Sequence, residues 1–357
     1  MSSLFFSRND GTFTTRILLK STVLWIETGL SAASLLLCNG EVLGASGLMS
    51  SICLHPRKAL TDSSQYWKLV LLASFMMTST ILFGSEFTMD SRTETDDSVP
   101  ILSPFAYTIG GLLVGFGARL GNGCTSGHGV CGMARLSPRS ITAVATFMTT
   151  AIVTVFLTSP TASWANYTSF LRADSIPPVD SQLGMQVTSL VVAAALTAPL
   201  FAKMQPNQKK LGSAAIAGSL FASGLAISQM VIGSKLFGFL NVMGIANGSW
   251  DPTLMTVLGA AVTISFISYQ FVDGFGVCPN SNALKCPLNA NQFSVPTNRV
   301  IDIPLILGSA IFGIGWALAS LCPGPALFLA ANGNHSVVFR WLPAFFVGSM
   351  AAERLRK

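Results

Sequence analysis

Gly115-Phe-Gly-Ala-Arg-Leu-Gly-Asn-Gly-Cys124, continuing Thr-Ser-Gly-His-Gly-Val-Cys-Gly to Gly132, has a counterpart 198 residues further on. That counterpart is Gly313-Ile-Gly-Trp-Ala-Leu-Ala-Ser-Leu-Cys322, continuing Pro-Gly-Pro-Ala to Ala326. Placing Cys124 on Cys322 also places Gly115 on Gly313 and Gly117 on Gly315. Each stretch ends an apolar run and passes into a Gly- or Pro-rich loop that must break a helix. A duplicated broken-helix element in an apolar chain marks a pathway where two repeats meet.

The surrounding composition sets the class. Hydrophobic residues make up 50% of the 357, charged ones 10%, and mean hydropathy is +0.58, which excludes an ordinary soluble domain. Apolar runs near the ~20 residues a bilayer requires recur at Ile17–Leu37, Trp67–Phe83, Ile101–Leu120, Ile141–Thr158, Leu183–Phe201, Leu211–Met230, Leu254–Phe271, Ile303–Leu321 and Val337–Ala352. They predict an all-α integral membrane protein of about nine transmembrane helices. Shorter apolar pieces at Val42–Cys53, Cys124–Leu136, Leu236–Ile245 and Cys322–Ala331 read as re-entrant segments, the alternative being loops on the membrane surface. The N-terminal stretch carries Arg8, Asp10, Arg16 and Lys20 and has no cleavable small-residue site, so no signal peptide is expected.

Charge gives the orientation. Fourteen of the 21 Lys and Arg residues fall after spans one, three, five, seven and nine. The opposite face collects nine of the 15 acids, including Glu86, Asp90, Glu94, Asp96 and Asp97. The positive-inside rule puts the C-terminus in the cytoplasm and the N-terminus outside, in the plasma membrane. The sequon Asn166-Tyr-Thr then lies outside. The net charge of +6 is topology signal and calls for no nucleic-acid partner. An odd span count also inverts the halves. The expected division is a tail at 1–20, a first half at 21–160, a connecting loop and linking helix at 161–210, and a second half at 211–357. The Cys124 and Cys322 loops would enter from opposite faces, forming an hourglass.

The loop chemistry suits a small anion. Glycines such as Gly123 and Gly127 let backbone N–H groups form concave nests, and a half-helix following a break presents a positive end. Thr125, Ser126 and His128 add donors, while Pro323 and Gly324 open the second loop. A neutral thiol at Cys124 or Cys322 adds a weak donor and a polarisable surface matched to sulfur.

The run GFGARLGNGCTSGHGVCGMARLSPRS resembles the signature of the YeeE/YedE sulfur-transport family. Lys235–Pro252 (KLFGFLNVMGIANGSWDP) and Arg299–Leu327 are similar to its companion module, so the resemblance runs from about Ser21 to Leu355. It implies thiosulfate uptake through an inverted-repeat protein whose pore cysteines pass the ion along by S–H hydrogen bonds, with Cys124 and Cys322 at the two constrictions. It also suggests a cytoplasmic sulfur-carrier or sulfurtransferase partner, for which Lys203, Lys209 and Lys210 offer a basic docking face. The departure lies in the first repeat, where family members carry a further cysteine. Here the element reads Asn39-Gly-Glu-Val-Leu-Gly-Ala-Ser-Gly47, with Cys38 and Cys53 only nearby. That leaves a third thiol station and strict thiosulfate specificity open.

Other readings attach to single residues. Cys131 is a second relay thiol or a packed small residue. His128 donates to the ion or caps backbone carbonyls, and mid-span Glu27 is a proton site or a neutralised carboxyl. Cys278 and Cys286 bracket a loop placed in the cytoplasm, where a disulfide is unexpected. Seven cysteines and three histidines occur without a CxxC or HxxxH pair, so no metal site is expected, nor any cofactor. There is no nucleotide-binding motif, so transport is not expected to be powered by ATP on this chain, and no soluble catalytic domain or rhodanese-like loop, which argues against an enzyme. The alternatives are a transporter or channel for sulfite, sulfide or selenite, or a membrane sulfurtransferase using a cysteine persulfide.

Overall fold

Punctuation in the sequence sets the helix boundaries. The structure, a computed structural model, describes residues 26–87, 104–158, 205–245, 250–275 and 283–356. Helix α1 (Ile26–Ser34) runs into a π turn at Leu35–Asn39 and stops at Gly40, which is left-handed with φ 71°. Then come α2 (Ala45–Leu54), α3 (Pro56–Thr61) and α4 (Tyr66–Phe87). Helix α5 (Pro104–Gly121) leads to a π-helix at Thr125–Gly132, and α6 (Pro138–Thr158) follows. Further along lie α7 (Pro206–Ile227), α8 (Gly233–Leu240) and α9 (Thr253–Gln270). The chain ends with α10 (Ile303–Ala319), α11 (Pro323–Ala331) and α12 (Leu342–Leu355). Among the described residues there is no strand, only an isolated bridge between Val272 and Leu284.

Local chemistry explains these limits. Asp302 caps α10 by accepting the Leu305 N–H at 3.0 Å, and a proline in the first turn costs no hydrogen bond. Gln205 and Gln208 form a reciprocal capping box at the start of α7. The π-helix occupies Thr-Ser-Gly-His-Gly-Val-Cys-Gly, where Gly127, Gly129 and Gly132 ease the wider turn.

Small residues hold the long helices together. In lipid, apolar burial favours a neighbouring helix little over a lipid tail, so close backbone approach and dispersion drive packing. Gly117 of α5 lies against the backbone of Gly308 and Phe312 in α10, and Gly315 of α10 against Gly110 and Val114 in α5. Gly115 abuts the Phe345 backbone in α12, whereas Gly313 abuts that of Phe147 in α6. The aligned glycines therefore do matching jobs, each touching the helix that follows the other's loop. The same exchange of partners runs through the fold. Helix α5 packs on α12 as α10 packs on α6; α4 packs on α7 as α9 packs on α1. The π-helix lies on α9, and α11 on α4. Aromatic contacts fill the gaps, with Phe147 5.5 Å from Phe312 and Phe75 5.4 Å from Phe221 between ring centroids.

Among the described residues, four stretches are long and apolar enough to cross a membrane: Pro138–Thr158, Asn207–Ile227, Thr253–Gln270 and Ile303–Ala331. The last joins α10 and α11 in sequence, but Ser320 breaks it. Of the shorter pieces, Val42–Cys53 contains most of α2, Leu236–Ile245 overlaps α8 and a 3-10 turn at Val242–Ile245, and Cys322–Ala331 is α11. The last apolar run differs from an uninterrupted span: a π turn at Val337–Trp341 precedes α12, which reaches Leu355. The expected span Leu183–Phe201, the sequon, Lys203 and Cys278 lie outside the described residues.

Candidate functional site

The likeness of the two loops extends to their backbones. Two residues before each cysteine stands a non-glycine in the left-handed region, Asn122 at φ 63° and Ser320 at φ 47°. Such a conformation costs about 1–2 kcal/mol, less for asparagine, which bonds locally. Each cysteine is extended and serves as the N-cap of the helix that follows. The Cys124 carbonyl accepts the His128 N–H at 2.8 Å, and the Cys322 carbonyl accepts the Ala326 N–H at 2.9 Å. The loops diverge in side chains: Thr125, Ser126, Gly127 and His128 match Pro323, Gly324, Pro325 and Ala326. One loop is polar and its counterpart apolar.

Cys124 stands between two cavities. The larger, about 370 Å³, is lined by Gly123, Cys124, Gly127 and His128 together with Gly44, Ser46 and Gly47 from the start of α2. The smaller, about 50 Å³, is lined by Cys124, Thr125, Ser126, Cys322, Pro323 and Gly324. Its remaining wall is mostly apolar, from Phe221, Leu225, Met230, Leu254, Val257 and Leu258. Both thiols are buried, at 1% and 2% exposure, yet each faces a space. A Cβ on Gly324 would press on Phe221 and Leu225, so glycine keeps the small chamber open.

A polar network joins the loops. Thr125 donates its hydroxyl to Cys322 Sγ at 3.5 Å. Cys124 Sγ lies 3.3 Å from Ser126 Oγ, which also accepts the Ala45 N–H at 3.1 Å and so ties the first loop to α2. His128 is held at both ring nitrogens. Nε2 must donate to the Gly121 carbonyl at 3.3 Å, which leaves Nδ1 to accept from the Ser140 hydroxyl at 3.0 Å when the ring is neutral. A Cβ on Gly123 would strike this ring, so glycine there is a packing requirement. Cys131 lines neither cavity; its thiol donates to the Leu43 carbonyl at 3.6 Å. Glu27 also lines neither, and its buried Oε2 has no hydrogen-bond partner among the described residues.

The larger cavity gathers charge from across the chain. Lys68, Arg119, Arg135, Arg139 and Arg356 line it, against Glu41 and Asp302. Arg119 pairs with Glu353 at 3.3 Å, and Arg139 with Asp302 at 3.1 Å. The segment 296–302 lends Pro296, Asn298 and Asp302 to the wall, and its Pro296 and Val300 carbonyls accept from Arg135 and Arg139. Burial opposes ionisation of Asp302, but hydrogen bonds from Arg139 and the Leu305 N–H hold its carboxyl below the usual range.

The thiols, His128 and their neighbours were readable as a group because they lie on two short motifs. Lys68 lies in no quoted motif, and Glu41 and Asp302 lie in quoted stretches that give no sign of a shared site; only folding brings them to the loop.

Residues 17–153 match the family model described as sulphur transport, and residues 210–356 match a family of unknown function, DUF6691. A protein of Xylella fastidiosa (strain Temecula1 / ATCC 700964) named "Probable transporter" is 41% identical over 136 residues, covering 38% of this chain and 80% of that protein. Its namesake in strain 9a5c is 40% identical over 136 residues, covering 38% and 81%. A second Temecula1 protein of that name is 35% identical over 130 residues, covering 36% and 86%. The matches define a chain with one module of sulphur-transport type and another alongside it. It belongs to the YeeE/YedE sulphur-transport family, in the two-module form.

Proposed function

We propose that this protein is a membrane transporter that takes up thiosulfate, or a closely related small sulfur anion, past the thiols of Cys124 and Cys322. The observation that carries the reading is the position of Cys124, shared between a basic cavity and a small chamber that also contains Cys322. An ion taken up from outside meets Cys322 in the small chamber, then Cys124, and enters the basic cavity last. Thr125, bonded to Cys322, and Ser126, beside Cys124, set the thiol positions.

The halves at 21–160 and 211–357 act as inverted repeats with nine spans, and the two loops re-enter from opposite faces. The matched glycines and the exchange of helix partners support this. In this orientation the basic cavity opens to the cytoplasm, where a sulfur-carrier protein would receive the cargo. Selectivity against sulfate arises at the thiols. A terminal sulfur sheds water more cheaply than an oxygen, and a hydrogen bond to a charged group is worth about 1.5–3 kcal/mol, so two stations give roughly a hundredfold preference.

Uptake of labelled thiosulfate into proteoliposomes tests this directly. Cys124→Ala and Cys322→Ala should each lower uptake about tenfold to a hundredfold with insertion intact, and excess external sulfate should barely compete. Wild-type uptake by both variants would reduce the cysteines to packing residues. Equal competition by equimolar sulfate would make the protein a general small-anion carrier.

A further inference from the structure

The larger cavity has a feature that the thiol pair does not use. Of its cations, Arg119 and Arg139 are balanced by Glu353 and Asp302. Arg135 and Lys68 have no carboxylate within ion-pair distance among the described residues. Arg135 has instead the Pro296 carbonyl, a neutral acceptor, and its Nε is buried without a partner, as is that of Arg119. Lys68 stands beside the Trp67 ring, 5.6 Å from its centroid, and both residues line the cavity. The lining cations outnumber the carboxylates Glu41 and Asp302. Buried N–H groups without acceptors are costly, and an oxyanion supplies several acceptors at once.

We propose that this cavity is a holding site for a small tetrahedral dianion, bound by Arg135 and Lys68, and that it selects by charge rather than by sulfur. It rests on the transport reading for its role as a station on the path, while the binding itself stands on the cations. Sulfate and thiosulfate should bind here about equally, because no thiol other than Cys124 at the edge lines the space. Discrimination falls to the small chamber, which an incoming ion passes first. The bound ion would replace the Pro296 carbonyl on Arg135, loosening the 296–302 segment where it forms part of the wall.

Equilibrium binding of radiolabelled sulfate to the purified full chain in nanodiscs tests the proposal, with labelled-thiosulfate uptake measured on the same preparations. Wild type should bind sulfate saturably, and more weakly as sodium chloride is raised. Arg135→Gln and Lys68→Gln should each weaken binding about tenfold or more. Cys322→Ala, outside this cavity, should bind sulfate as wild type does even while its thiosulfate uptake falls. Absence of saturable sulfate binding by wild type would overturn the proposal, as would wild-type affinity in Lys68→Gln. Should Arg135→Gln fail to fold, Lys68→Gln and the salt dependence decide the matter. Normal uptake by Cys322→Ala would sink the thiol relay and leave the sulfate result standing.

Discussion

His128 shows how a residue's partners separate two roles that its position alone leaves open. Its ring borders the basic cavity, but both nitrogens are occupied, by Gly121 and Ser140. It thus clamps the end of α5 to the start of α6. His128→Ala should orphan the Gly121 carbonyl and the Ser140 hydroxyl, at about 1–3 kcal/mol for each buried group. A lower Tm in detergent is the expected result, with His128→Gln recovering part of the loss. Unchanged Tm with lost uptake would assign the ring to the ion instead. Cys131 follows the same logic: with its thiol on the Leu43 carbonyl and no place in either cavity, Cys131→Ser should transport nearly as well as wild type, as uptake will show.

Between elements, glycine sets the distance. At Gly315 a Cβ would lie 2.6 Å from the Leu113 Cβ and 2.8 Å from both the Gly110 carbonyl and the Val114 nitrogen. Backbone cannot step aside as a side chain can, so Gly315→Ala should separate α5 from α10 and cost about 1–3 kcal/mol. Gly121→Ala should be nearly neutral, since its nearest neighbour is the Ser309 nitrogen at 3.4 Å. Thermal unfolding of the pair in detergent checks the contrast; equal losses would mean that the interface tolerates overpacking. The sequence made the aligned pairs Gly115/Gly313 and Gly117/Gly315 visible, because identical residues recur at identical offsets from the cysteines. It did not reveal which helix each would touch, nor the left-handed Ser320, whose residue type carries little conformational signal. The bond from Thr125 to Cys322 was equally hidden, since it joins residues 197 apart whose separate motifs give no relative placement.

At the scale of the molecule, the charged residues carry information that helices alone do not. Lys68, Arg119, Arg135, Arg139 and Arg356 all belong to the face that the positive-inside rule assigns to the cytoplasm, and the fold brings them to one cavity. Cys53 and Cys286 are exposed, and the same rule assigns them to that face. Variants retaining Cys53 or Cys286 as the sole cysteine should react with a membrane-impermeant maleimide only after the cells are permeabilised. Labelling in intact cells would reverse the orientation. The nine-span reading came from hydropathy over the whole chain, whereas the loops' short helices lie in runs too brief for periodicity to classify.

The small chamber between the thiols also bears on the energy economy of a cell that uses such a pathway. A membrane that stores work as a proton gradient is drained by any unbroken thread of water across it. About 50 Å³ walled largely by Phe221, Leu225, Met230, Leu254, Val257 and Leu258 gives water few partners, and confined apolar space of this kind tends to stay dry. Protons hopping from one water to the next would find the thread cut there. An anion with a soft, weakly hydrated end could cross the gap on two thiols, leaving the gradient intact behind it.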